Sequence, residues 1–153
     1  MVRNSILWIH AGAGAIWIAA CACFVIAGLA IEDGTSEQSD FVRRTIGSIN
    51  RLASVAAAIV IVTGAANIVF YSMMHDHMRA AFVFVLTAKL AIFGVMAAAL
   101  AITVRAATRA RGMLVVGNRG ALPGAIRRMV RAHFAMVALG SVALVLGLWL
   151  SGT

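Results

Sequence analysis

The sequence predicts an all-α fold, an antiparallel bundle of four transmembrane helices with both termini outside. Three observations carry this. Hydrophobic residues make up 63% of the 153-residue chain while charged residues reach only 12%. The mean hydropathy is +0.99. The apolar residues fall into four long runs, about 5–31, 52–71, 80–104 and 130–150. No soluble domain of this size hides so much apolar surface. Each run reaches the ~20 residues that cross ~30 Å of hydrocarbon. Backbone groups in lipid must be satisfied within the element, so these runs are helices, and they lack the alternation of a membrane barrel.

The first run, 5–31, follows Arg3 and superficially resembles a leader. At about 25 apolar residues it exceeds the central region of a signal peptide, so it reads as a retained helix. The next segment, 32–50, opens polar and turn-rich. From Asp40 the stretch "DFVRRTIGSINRLASV" takes helical spacing, so the second helix begins before its apolar run. The 72–79 loop is short and predicts a hairpin between the second and third helices. Residues 112–124, with Gly112, Gly117, Gly120, Pro123 and Gly124, are expected to be irregular. The whole chain reads as a single domain.

Charge sets the orientation. Arg43, Arg44, Arg51, Arg105, Arg109, Arg111, Arg119, Arg127, Arg128 and Arg131 all lie on one side of the bundle, against Arg3 and Arg79 on the other. The positive-inside rule places the arginine-rich side in the cytoplasm and the 72–79 loop outside, as expected for a bacterial inner-membrane protein. Trp8, Phe70, Tyr71 and Trp149 form an aromatic belt at the outer helix ends. The net charge of +8 is therefore a topology signal, with anionic lipid headgroups rather than nucleic acid as the partner. Cys21 and Cys23 are two residues apart on one helix, point to different faces, and cannot bridge each other.

Ionisable residues inside a span are functional candidates. His10 lies roughly 8 Å below the outer end of the first helix, Lys89 roughly 13 Å down the third, and Asn67 roughly 6 Å from the outer end of the second. Thr63 stands a turn deeper than Asn67. These four share one layer in the outer half. His133 is roughly 20 Å or more away along the membrane normal, so His10 and His133 are not two axial ligands of one haem. Each residue also has a structural reading: His10 hydrogen-bonded to a carbonyl or to Asn67, Lys89 snorkelling outward, His133 interfacial, and Trp17 packing.

The stretch "LWIHAGAGAIWIAACACF" sets His10 seven residues before Trp17, helix 2 contains "IVTGAANIV", and helix 3 reads "LTAKLAIFGVMAAALAITVR" around Lys89. This pattern resembles the superfamily of copper-resistance D membrane proteins and small four-helix bacterial protoporphyrinogen oxidases. The resemblance implies haem b held by His10 and Lys89, with Trp17 and the Ala/Gly faces as its slot, Asn67 nearby, and quinone, porphyrin or oxygen species as redox partners. The end "IRRMVRAHFAMVALGSVALVL" is also similar to the copper-resistance pattern, with His133 in place of an acidic residue. The oxidases' Leu-Pro-Arg stretch after the first Trp and their Asn-Glu-Val-Pro-like signature in helix 4 are absent, which weighs against protoporphyrinogen oxidation. The copper-resistance family's Gly soon after Trp17 is replaced by Ala19.

A second reading starts from "MMHDHM". Met73, Met74, His75, His77 and Met78 are soft donors suited to copper, above all Cu(I), with His10 as the relay. A third is a cofactor-free accessory subunit packed in a larger complex through its Ala/Gly-rich faces. A homodimer is compatible with any of the three.

Overall fold

The computed structural model describes residues 2–31, 36–74 and 80–151, and among these residues there is no strand. Helix α1 spans Val2–Leu29, α2 Ser36–Asp40, α3 Ile46–Met74, α4 Ala80–Val115 and α5 Leu122–Ser151. A π-helical turn, Phe41–Thr45, fuses α2 to α3, and the Ile46 N–H donates to the Phe41 carbonyl five residues back. Four helices are long and apolar enough to cross a membrane. Many large apolar residues, including Ile26, Val62, Phe84 and Val145, face outward, as lipid contact requires.

The helices run past the apolar stretches that mark them in the sequence. Beyond Val104, the Ala107 and Ala110 face of α4 keeps packing on Phe41, Val42, Ile46, Leu122 and Ile126, so the helix continues among the arginines. The expected irregular segment 112–124 shrinks accordingly. Helix α4 ends at Val115, and Gly117, at φ +75°, turns the chain back. The Asn118 N–H reaches the Met113 carbonyl and the Gly117 N–H the Leu114 carbonyl, which closes the helix end with its own carbonyls. Pro123 sits in the first turn of α5, where its missing N–H costs nothing.

Helices α1 and α3, α1 and α5, and α4 and α5 pack side by side, whereas α3 and α4 barely touch. The predicted hairpin packing of the second and third helices is therefore confined to their ends. Tyr71 stacks on Phe82 at 3.7 Å beside the connecting loop. At the other end the Arg111 guanidinium lies on Gly47. Between them the buried residues that α3 gives to the interior cluster are the short Ala53, Ala56 and Ala57, with Ile49 partly buried beside them. Trp17 of α1 fills that interval and meets Phe93 of α4 edge-on at 5.6 Å.

Close approaches fix the antiparallel registers. His10 lies against Gly64 for α1 and α3; Gly28 meets Val130 and Gly140 meets Ile18 for α1 and α5; Lys89 lies over Gly147 and Met96 over Gly140 for α4 and α5. The start of α1 and the end of α5 thus share one end of the bundle, the terminal end. Arg43, Arg44, Arg51, Arg105, Arg109, Arg111, Arg119, Arg127, Arg128 and Arg131 lie towards the opposite end.

Candidate cofactor site

Near the terminal end, two helix pairs each contribute one titratable side chain. From α1, His10 reaches across to α3, where its Nδ1 is 2.9 Å from Thr63 Oγ1. The Thr63 hydroxyl already donates to the Ile59 carbonyl at 2.6 Å. Its hydrogen is committed, so it accepts from His10, and the imidazole carries its proton on Nδ1. Nε2 of the neutral ring is then a bare lone pair, the state in which histidine ligates metals. Gly64 makes room for the ring: a Cβ there would stand 3.3 Å from His10 Cε1.

Lys89 is the counterpart from α4 and α5. Its Nζ lies over Gly147, 2.7 Å from where a Cβ would stand, so the missing side chain cradles the amine. The lysine is close enough to His10 to act on it electrostatically. Glu37 and Asp40, the acids among the described residues, lie on α2 at the arginine-rich end. Among the described residues Lys89 therefore has no carboxylate partner. Asn67, a turn nearer the terminal end than Thr63, holds a buried Oδ1 without a partner among them.

The structure brings together three of the four residues expected at this level, His10, Thr63 and Lys89. His10 takes the Thr63 hydroxyl and, as one of the two expected alternatives, a backbone carbonyl, that of Val60, as its partners rather than Asn67. The cradling glycines, Gly64 and Gly147, were not singled out in the sequence, and they sit among many other small residues there. Trp17 is buried two turns beneath His10, wedged against Phe93, and forms the floor of the layer. Its indole faces the Cys21 thiol one turn further along α1.

His133 is 0% exposed in the protein core. It stacks on Phe24 at 3.9 Å and 7°. The reason is that α5 begins at Leu122, eight residues before its apolar run, which sinks His133 well inside the helix. It remains far from His10: the 14 residues from His10 to Phe24 on α1 span roughly 21 Å. Cys21 is buried and Cys23 exposed, as their spacing requires.

The candidate copper ligands His75, His77 and Met78, with the side chain of Met74, lie outside the described residues; Met73 is 77% exposed. Among the described residues, no three or more His, Cys, Asp or Glu side chains gather as a metal cluster.

The fold and site together define a four-helix protein whose spans are long and apolar enough for a membrane, with a polar layer towards the terminal end. Set against known protein families, curated proteins and solved structures, the chain matches none of them.

Proposed function

We propose that this chain is an integral membrane haem b protein with a redox or electron-transfer role, inserted in the bacterial inner membrane with its termini outside. The observation that carries the reading is the His10–Thr63 hydrogen bond, which leaves His10 Nε2 as a lone-pair nitrogen in a layer shared with Lys89. The residues present fit the group. His10 would supply an iron-binding nitrogen. Lys89, without a described carboxylate partner, would answer a propionate as a cation or bind the iron only as the neutral amine. The Gly64 and Gly147 cradles keep both side chains against helix backbones, and Trp17 seals the floor against water. Bound haem supplies a one-electron iron couple in the half of the membrane nearer the outside.

The orientation rests on the arginine asymmetry. A quinol, a porphyrin or an oxygen species as redox partner, and a homodimer or larger complex as the assembly, belong to the same proposal. The test is the pyridine haemochrome assay on detergent-purified protein expressed with ample haem supply. A b-type spectrum in the wild type, lost in a folded His10→Ala variant, supports the reading. A folded, colourless wild type contradicts it.

A further inference from the structure

We infer that Asn50, Thr103 and His133 form a second polar site, separate from the His10 layer, that binds one water molecule inside the bundle.

These three side chains part the two apolar clusters of the interior. On α3, Asn50 lies between Ile46 of one cluster and Ala53 of the other; on α4, Thr103 lies between Ala107 and Leu100; on α5, His133 lies between Met129 and Met136. Each trio runs i, i+3 or i+4, i+7, which is one face of its helix. Asn50 is 6% exposed, and Thr103 and His133 are fully buried.

The helix registers put the three at one level. Continuing the Met96–Gly140 approach by seven residues brings Thr103 opposite His133, and continuing His10–Gly64 by fourteen brings Asn50 opposite Phe24. Phe24 itself stacks on the His133 ring at 3.9 Å, which joins the two pairs. Ile49, next to Asn50, packs on both clusters and marks the same boundary.

Hydrogen bonding selects the ligand. His133 Nδ1 lies 2.8 Å from the Met129 carbonyl, which only accepts, so Nδ1 carries the ring proton and Nε2 is a lone pair. The Thr103 hydroxyl gives its hydrogen to the Leu100 carbonyl at 2.8 Å. His133 Nε2 and Asn50 Oδ1 are both buried with no hydrogen-bond partner among the described residues. Two acceptors cannot satisfy each other, whereas a molecule that donates twice satisfies both. Glu37 and Asp40, the acids among the described residues, are exposed on α2. An ammonium or hydronium ion would therefore be an unpaired charge in the core, at high cost. Water donates to Nε2 and Oδ1 and stays neutral. Helices α3 and α4 barely touch, and the short Asn50 and Thr103 side chains leave the width that one water needs.

The rival donor is the Asn50 amide nitrogen, turned directly onto Nε2. The experiment records NMR spectra of the full chain, 15N-labelled in histidine and asparagine, in lipid nanodiscs, with His133 assigned by its loss in His133→Phe. The expected result is a ring protonated on Nδ1 alone, whose carbon-bound protons show a nuclear Overhauser contact to a long-lived water. Asn50→Leu keeps the branched shape and removes the second acceptor, so the contact is lost there and persists in Cys23→Ala at the surface. The wild-type contact tests the proposal by itself if Asn50→Leu does not fold. A folded wild type without the water contact, a contact undiminished in folded Asn50→Leu, a direct coupling between Asn50 Nδ2 and His133 Nε2, or a doubly protonated ring at neutral pH would each overturn the proposal.

Discussion

His10 and Thr63 are joined across α1 and α3 by a 2.9 Å hydrogen bond whose direction is fixed, because the Thr63 hydroxyl donates to Ile59. Thr63→Val keeps the shape and removes the acceptor. The ring keeps the Val60 carbonyl as a partner, so the lost bond should cost about 0.5–1.5 kcal/mol. Thermal unfolding in detergent should show a lower midpoint for Thr63→Val and a near-wild-type midpoint for Thr63→Ser. Equal midpoints would mean that the bond holds nothing.

Gly28 and Val130 mark a close approach of α1 to α5. A Cβ on Gly28 would stand 2.5 Å from Val130 Cγ2. Gly28→Ala should therefore overpack the interface by about 1–3 kcal/mol. Val130→Ala clears that space, so the double variant should regain most of the loss. A double-mutant cycle on unfolding midpoints checks the coupling, and additive effects would refute the contact.

The closing turn of α4 depends on one left-handed residue, Gly117 at φ +75°. Gly117→Ala should destabilise the protein by about 1–2 kcal/mol through backbone strain alone. Gly120→Ala, whose Cβ meets nothing within 4 Å, is the control and should be close to neutral.

Orientation is tested with single cysteines in a Cys21→Ala/Cys23→Ala background. Ser72 and Arg109 are both exposed, near opposite ends of the bundle. In intact cells a membrane-impermeant maleimide should label Ser72→Cys and spare Arg109→Cys until the membrane is opened. The reverse pattern would invert the proposed topology.

The four long apolar helices were legible because lipid demands long apolar runs, and the rise per residue put His10, Thr63, Asn67 and Lys89 in one layer, in which His10 and Thr63 are hydrogen-bonded. Which helices touch was not legible. A helix facing lipid on one side and Trp17 or Met136 on the other is apolar all round, so its periodicity carries little sign of its core face. That is why the gap between α3 and α4 and the burial of His133 emerge only in three dimensions. Helix ends were underestimated for a related reason. Arg105, Arg109 and Arg111 end the hydropathy signal, but arginine is a good helix former and the Ala107/Ala110 face still has a core to cover. The choice of Thr63 over Asn67 as the partner of His10 turned on a one-turn difference that spacing estimates do not resolve.

The central claim is that His10, and not the buried His133, holds haem. The most direct measurement is haem content per chain in wild type, His10→Ala and His133→Ala, purified side by side and shown folded by helical circular dichroism and gel filtration. The account predicts haem in wild type and His133→Ala and none in His10→Ala. Haem retained in His10→Ala, or lost only in His133→Ala, would contradict it.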